Sequence, residues 1–243
     1  MFELKIHPGQ DKSGTPEAFN TITLHSGTLL AVVGNTGAGK SRLVQDIEQL
    51  VQGESVSKRR VVLRENGILC AKTQGLIAHL GQNMRFMLDT NVADFVTLHN
   101  QCRGRDIPLE TVLDLANTIT PEHITATMHL NLLSGGQTRA LMIADIALIC
   151  DSPIVLMDEI ENAGIDKIKA FEALLGQDKL LVLVTHDPHT ALMASERIVL
   201  ENGGIAKHIQ RTPEEEKLYK LMTSEYALHQ QRQQQLRTGA SIL

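Results

Sequence analysis

The sequence contains no tryptophan, two tyrosines and five phenylalanines, so aromatic residues make up only 3% of its 243 positions. Its 42% hydrophobic content is therefore mostly aliphatic, and it suffices for a substantial core in one α/β unit. There are three cysteines (Cys70, Cys102 and Cys150), an odd count at wide spacing with no C-x-x-C pair. That pattern argues against a disulfide framework or a cysteine metal site, and fits reduced thiols in a cytosolic protein. No run approaches the roughly 18 consecutive apolar residues of a membrane span, so a membrane role would need another chain to supply the spanning part. The opening Met1-Phe-Glu-Leu-Lys-Ile-His-Pro-Gly9 is charged and has no apolar stretch, and no secretory leader is expected. Excess positive charge is missing as well. With 28 acidic residues against 23 basic ones the net charge is −5, and nucleic acid is not expected as a partner.

What is present is an alternation of strand and helix patterns. Phe2 to Ile6 and Leu29 to Val33 read as strands. From Ser41 onward, Leu43, Val44, Ile47, Leu50 and Val51 recur at helical spacing. One or two further strands are expected between about Val61 and Leu80. The segment from about Asn83 to Leu132 reads as helix-rich, with Pro108 and Pro121 as helix starts. A strongly apolar helix, Thr138 to Ile149, precedes buried-type strands at Ile154 to Met157 and Leu180 to Thr185. Such alternation predicts a largely parallel sheet covered on both faces. Beyond Gly203-Gly204 the chain turns polar, and from Pro213 it reads as surface helix ending in the glutamine-rich stretch Gln230 to Gln235. No internal repeat is found.

Gly34-Asn35-Thr36-Gly37-Ala38-Gly39-Lys40-Ser41 fits G-x-x-x-x-G-K-[ST] between an apolar strand and an amphipathic helix, which is the context that motif requires. Its glycines let successive backbone N–H groups curl around a phosphate, and the helix N-terminus adds a favourable dipole. Lys40 is expected to reach the terminal phosphates and the Ser41 hydroxyl to hold Mg²⁺. By itself the loop indicates only a nucleoside triphosphatase.

Leu133-Ser134-Gly135-Gly136-Gln137 narrows the field. Ser134 and Gln137 have the S-x-x-Q shape of a helix capping box, and the glycine pair leaves backbone N–H groups open to a ligand. Downstream, Ile154-Val155-Leu156-Met157-Asp158-Glu159 ends an apolar strand on two acids, and His186 closes the next one in Leu183-Val-Thr-His186-Asp187. In order and spacing these elements resemble the ABC (ATP-binding cassette) ATPase family over roughly residues 1 to 205, with L-S-G-G-Q matching the family signature letter for letter. The resemblance implies an α/β P-loop fold with a mostly parallel core sheet, an N-terminal antiparallel β subdomain and a helical signature subdomain at about residues 83–145. The ATPase domain would then span 1–210, with a helical extension at 211–243.

By resemblance, Asp158 holds Mg²⁺, Glu159 polarises the attacking water, and His186 contacts the γ-phosphate. Gln82, 42 residues after Lys40, resembles the glutamine that touches Mg²⁺ or water and joins the core to the helical part, with Gln74 nearby as a competitor. The following Thr90-Asn-Val92-Ala-Asp-Phe95 resembles the stretch after that glutamine. In the family, Ser134, Gly135, Gly136 and Gln137 face the nucleotide of an opposite subunit, so ATP sites are complete only in a head-to-tail pair. Adenine is commonly stacked by an aromatic residue upstream of the phosphate loop. Neither tyrosine lies there, and His7 and Phe19 stand as alternatives.

The pattern breaks after Glu159. Instead of D-E-P-T-S-A-L-D the chain reads Asp158-Glu159-Ile160-Glu161-Asn162-Ala163-Gly164-Ile165-Asp166, without proline and one residue longer, though Asn162, Ala163 and Asp166 still resemble elements of that loop. Asp145 stands where many transporters have arginine. The leading expectation is an ATP-hydrolysing subunit, cytoplasmic or peripheral on the inner face of the membrane, paired with itself or another ABC subunit and driving a separate permease. The alternative is a soluble ABC ATPase remodelling a protein, cofactor-assembly or nucleic-acid client. An ATP-binding switch with little turnover is disfavoured by Glu159 and His186.

Overall fold

The computed structural model describes residues 1–70, 75–82, 84–160, 164–239 and 241. Gln74, Asn83, Glu161, Asn162 and Ala163 lie outside the described residues. Two sheets organise the chain. Strands β1 (Phe2–His7), β2 (Ile22–His25), β4 (Arg60–Glu65) and β5 (Ile68–Leu69) form an antiparallel sheet in the order β2-β1-β4-β5. The larger sheet runs β10-β9-β3-β8-β7-β6, from β3 (Leu29–Val33), β6 (Ile77–Leu80), β7 (Ile154–Asp158), β8 (Leu180–Val184), β9 (Glu196–Glu201) and β10 (Gly204–Gln210). All its pairings are parallel except β9 with β10.

The central strands are aliphatic on both faces because both are covered. Along β3, Leu30 and Val32 point with Val182, Leu156 and Ile198 into a core shared with β1, β2, β4 and α1 (Lys40–Glu48). Ala31 points the other way, with Val155, Met157, Leu181 and Leu183, into a core built by α2 (Val92–Arg103), α3 (Leu109–Ile119), α4 (Gly135–Leu148) and α5 (Lys167–Leu175). The side-chain period of two therefore sorts one strand's residues between two cores. The short α6 (Pro188–Met193) follows β8, and α7 (Pro213–Arg237) lies on the surface with no buried residue. Among the described residues no helix is long and apolar enough to cross a membrane.

Several sequence expectations are corrected. No helix starts at Pro121. Asn117 accepts the Ile124 N–H at 2.7 Å and donates to its carbonyl at 3.1 Å, so its side chain takes backbone groups a helix would need and holds Ile124 in an irregular loop. Pro108 does directly precede a helix, as the N-cap of α3. The helix after the phosphate loop ends at Glu48, because Leu50 turns to φ 46°; Leu50 and Val51 stay buried beyond it. Helix α4 starts three residues before its apolar stretch, since the Ser134–Gln137 capping box forms as read. Among the described residues three strands rather than one or two lie between Arg60 and Leu80, and β2, β9 and β10, with at most two buried apolar side chains each, are additional to the expected strands.

Candidate active site

Strands β6, β7, β8 and β3 are parallel neighbours, so their carboxyl ends open on one edge of the sheet, where ligands of open α/β sheets bind. The segments leaving those ends carry, in spatial order, Gln82, Asp158 with Glu159, His186, and the phosphate loop from Gly34 to Ser41. Four stretches spread between residues 34 and 186 thus converge.

Backbone geometry explains the loop's glycines. Gly34, Gly37 and Gly39 have φ of 152°, 79° and 104°. A Cβ on Gly39 would stand 2.7 Å from the Gly203 Cα, and one on Gly34 would stand 2.6 Å from the Leu200 carbonyl oxygen. The loop is therefore pressed against the β9–β10 turn, and Gly203 N–H donates to the Ala38 carbonyl at 2.8 Å. The Lys40 ammonium donates to the carbonyls of Gly34 (2.8 Å) and Asn35 (3.2 Å), across the mouth of the loop, while Ser41 is exposed at the start of α1. A second cation arrives from outside the motif: Lys12 Nζ donates to the Gly37 carbonyl at 2.6 Å. No pattern in the sequence pointed to Lys12, because only the fold lays its loop beside the phosphate loop.

Glu159 is the meeting point of the acidic end. Gln82 Nε2 donates to its Oε2 at 2.7 Å, and His186 Nδ1 lies 3.6 Å from its Oε1. Asp158 and Glu159 do not alternate as neighbours on one strand, because β7 ends at Asp158 and Glu159 has φ 48°. A left-handed backbone at a non-glycine costs on the order of 1 kcal/mol, which the surrounding structure must offset. The Glu159 N–H is fixed by the Val184 carbonyl at 3.1 Å.

Ser134 accepts the Gln137 N–H at 3.2 Å, and the Gln137 side chain accepts the Ser134 N–H at 2.9 Å. Their other partners, Glu122, His123 and Met128, all lie in the segment before α4, and none is in the phosphate loop. Arg139 on α4 donates to the Gln82 carbonyl, joining this helix to the segment that carries Gln82. Gly135 and Gly136 lie at the opening turn of α4, Gly135 exposed and with open space where a Cβ would stand.

With this geometry in hand, comparison with known proteins is decisive. The sequence profile of the family described as "ABC transporter" matches residues 20–162, more than half of the chain. The chain belongs to the ABC transporter family. Membership carries ATP binding and hydrolysis. An uncharacterised ABC transporter ATP-binding protein of Methanocaldococcus jannaschii is 46% identical over 89% of this chain and 85% of the relative. An energy-coupling factor transporter ATP-binding protein of Latilactobacillus sakei is 28% identical over 82% of this chain and 73% of its own length. A sulfate/thiosulfate import ATP-binding protein of Pectobacterium atrosepticum is 30% identical over 89% and 68% respectively. Among solved structures, an ATP-binding subunit of an ABC transporter superposes with a TM-score of 0.64 at 19% identity, covering 85% of this chain and 89% of the other, which shows the shared fold.

Around α4 and the start of α5, local contacts hold Asp145 and Asp166 in place. Asp145 accepts from or pairs with His99 Nδ1 at 2.6 Å, and Arg103 Nε donates to the other ring nitrogen, joining α2 to α4. Asp166 caps α5, accepting the N–H groups of Ile168 and Lys169. Lys167 then donates to Asp187 (2.6 Å) and Thr190 (2.7 Å), linking the end of that loop to the residue after His186.

Lys167 also sits 4.8 Å from the centre of the Tyr226 ring of α7. Beside it, His189 stacks on Tyr219 with ring centres 5.8 Å apart and meets the Tyr226 ring at a tilt, 5.2 Å away. Its Nε2 donates to the Thr223 hydroxyl, whose own proton goes to the Tyr219 carbonyl, and its buried Nδ1 has no hydrogen-bond partner among the described residues. Burial, reinforced by the Lys167 charge, holds the His189 pKa below its ordinary 6.5. Burial alone would raise the Asp187 carboxyl, but the bonds from Lys167 and Thr190 outweigh it and set it at about 2. Acid acts against both groups. The unfolded state takes up the histidine proton first, so stability is lost as pH falls below 6.5, and the Asp187 contribution, full above 3.8, is lost toward 2. Both tyrosines of the chain are in this cluster, and there is no tryptophan. Urea unfolding followed by the tyrosine signal is therefore expected to give an unfolding free energy that falls as pH is lowered from neutral to about 5. A free energy of unfolding that rises over that range would contradict this linkage.

Proposed function

We propose that the chain is the ATP-hydrolysing subunit that drives a separate membrane permease, working from the inner face of the membrane as one half of a head-to-tail pair. The observation that carries the catalytic part is the convergence of the Gln82 amide and the His186 ring on Glu159, beside the phosphate loop. Gly34, Asn35, Thr36, Gly37, Ala38 and Gly39 offer backbone N–H groups to the phosphates, and Lys40 gives up its carbonyl partners to bind them. Glu159 takes a proton from the attacking water as ATP is split to ADP and phosphate. Gln82 orients Glu159, and His186 donates toward the γ-phosphate oxygens.

The oxygen donors Ser41, Asp158 and Gln82 suit Mg²⁺, a hard cation that takes one or two protein ligands alongside phosphates. Bound there, Mg²⁺ would offset phosphate charge. Ser134, Gly135, Gly136 and Gln137 would meet the partner subunit's nucleotide, with residues of about 83–145 as the signature subdomain, 1–210 as the ATPase domain and 211–243 as an appended helix. The relatives support a transporter role: one is an energy-coupling factor ATP-binding protein and another is part of sulfate/thiosulfate import. A cavity of about 670 Å³ beside Gln82, Arg85, Phe86, Leu133 and Arg139 offers a seat for a permease segment. The altered loop after Glu159 favours, as second reading, a soluble ATPase acting on another client.

The test is affinity capture of tagged Glu159→Gln from its native cell with ATP and Mg²⁺. A stoichiometric multi-span membrane protein is the expected companion. Recovery of soluble partners alone from both cytosol and detergent extract would overturn the transporter role in favour of the second reading.

A further inference from the structure

The loop between β1 and β2 is folded so as to present one lysine. Asp11 Oδ1 accepts the Ser13 and Thr15 N–H groups at 2.8 and 2.9 Å, and the Gly14 N–H returns to the Asp11 carbonyl at 3.1 Å. These bonds close a tight turn around Lys12. The turn is tied in its place on the β9–β10 connection. Lys12 N–H donates to the Asn202 carbonyl at 2.9 Å, and the Asn202 amide donates to Asp11 at 3.1 Å. Gly203 leaves room for the lysine stem, since a Cβ there would stand 2.6 Å from Lys12 Cγ. The stem therefore crosses the same connection that packs on Gly39 and bonds Ala38. From there the exposed ammonium reaches the Gly37 carbonyl at 2.6 Å.

At an exposed site such a bond adds little to stability, because water competes for both groups. What the turn achieves is to hold a positive charge beside the glycine-rich loop, in a chain whose net charge is −5. Lys40 stands likewise, its ammonium on the carbonyls of Gly34 and Asn35. Two ammonium groups thus rest on carbonyls of one loop, one brought by α1 and the other by the turn after β1. A polyphosphate offers each of them a stronger, charge-assisted acceptor than a carbonyl. The lysine side chain, a flexible stem with three donors, can exchange one acceptor for the other while the backbone stays fixed. We propose that Lys12 binds the nucleotide's phosphates, its ammonium passing from the Gly37 carbonyl to a non-bridging phosphate oxygen when ATP is seated. The proposal deepens the reading of Gly34 to Ser41 as the phosphate loop and rests on it. It adds to the nucleotide site a residue outside the motif, positioned by Asn202 and Gly203.

The test is titration calorimetry of the full chain with ATP and with inorganic tripolyphosphate, in EDTA so that ATP is not turned over. Lys12→Met keeps the stem over Gly203 and removes the charge, and is expected to weaken ATP binding at least about tenfold. Tripolyphosphate, which has no base or sugar, should weaken by the same factor. Lys12→Arg should bind ATP within about threefold of wild type. The loss in Lys12→Met should shrink as KCl is raised from about 50 to about 500 mM, because salt screens an exposed charge and leaves a loop tether alone. Lys12 is exposed and its N–H keeps the bond to Asn202, so the fold is expected to survive both substitutions. Wild-type ATP affinity in Lys12→Met overturns the proposal. So does a loss for ATP with none for tripolyphosphate, which would put the lysine on the nucleoside. A loss that salt does not reduce overturns it too, and makes Lys12 a tether of Gly37. Lys40→Ala in the same titration separates this proposal from the reading beneath it. Full affinity there removes the phosphate-loop assignment, whereas a loss there with none in Lys12→Met removes Lys12 alone.

Discussion

Replacing Glu159 with glutamine is expected to lower ATP turnover by about 10²- to 10⁴-fold, the range a positioned general base contributes. ATP affinity should stay within a factor of a few. The physical reason lies in what the substitution keeps. Glutamine has the same length and still offers a carbonyl oxygen to the Gln82 amide that now donates to Glu159 at 2.7 Å. The left-handed backbone at this position is a property of the chain path between β7 and Val184, and it is unchanged. Only the ability to accept a proton from water is removed. With hydrolysis stopped and binding intact, the ATP-bound pair should accumulate, visible as a doubling of mass that requires ATP and Mg²⁺. Turnover near the wild-type rate would remove Glu159 from the catalytic role and shift attention to Asp158.

Removing the Arg59 side chain is expected to destabilise the protein by about 3–5 kcal/mol, since it leaves buried carboxylates without their counter-charge. Arg59 is 0% exposed. Its guanidinium donates to both Glu17 oxygens (2.6–3.1 Å), to Asp46 at 3.1 Å and to the Gly203 carbonyl at 2.7 Å. Glu17 in turn accepts the N–H groups of Gly9 and Ile205. One side chain therefore ties together the loop before β2, helix α1, strand β4 and the β9–β10 turn. For a chain of this size the loss corresponds to a fall in melting temperature on the order of 10 °C. Thermal unfolding of Arg59→Ala measures it, and a change below about 1 kcal/mol would contradict the assignment. The effect should reach the nucleotide. The Gly203 turn that Arg59 holds is packed on Gly39 and bonded to Ala38, so ATP affinity should fall along with stability.

Legibility differed sharply between these two sites. Glu159 was readable because an apolar strand ending on two acids, downstream of a glycine-rich loop and a capped helix, is a local pattern. Arg59 carried no such mark. Its partners are 42 and 13 residues away on one side and 144 on the other, and nothing in the composition of Lys58-Arg59-Arg60 separates the one buried arginine from its exposed neighbours. The same holds for Lys12 at Gly37 and Lys167 at Asp187, two cations placed by segments that meet only after folding. The helix expected at Pro121 failed for a related reason: a side chain four residues upstream, Asn117, took the backbone groups of Ile124.

The sequence by itself determined what repeats locally. Continuous aliphatic runs became the parallel strands β3, β7 and β8, Ser134 and Gln137 became a capping box, and glycines became the positive-φ positions of the phosphate loop. Each is decided by residues within a turn or a strand of one another, where propensity and hydrogen bonding act without help. The tertiary structure alone decided which strands are neighbours, and so which loops share an edge. It placed β8 between β3 and β7, brought Gln82 and His186 onto Glu159, and turned one arginine into the anchor of four elements. Those outcomes depend on packing two aliphatic cores against one sheet, a balance summed over the whole chain that no local pattern encodes.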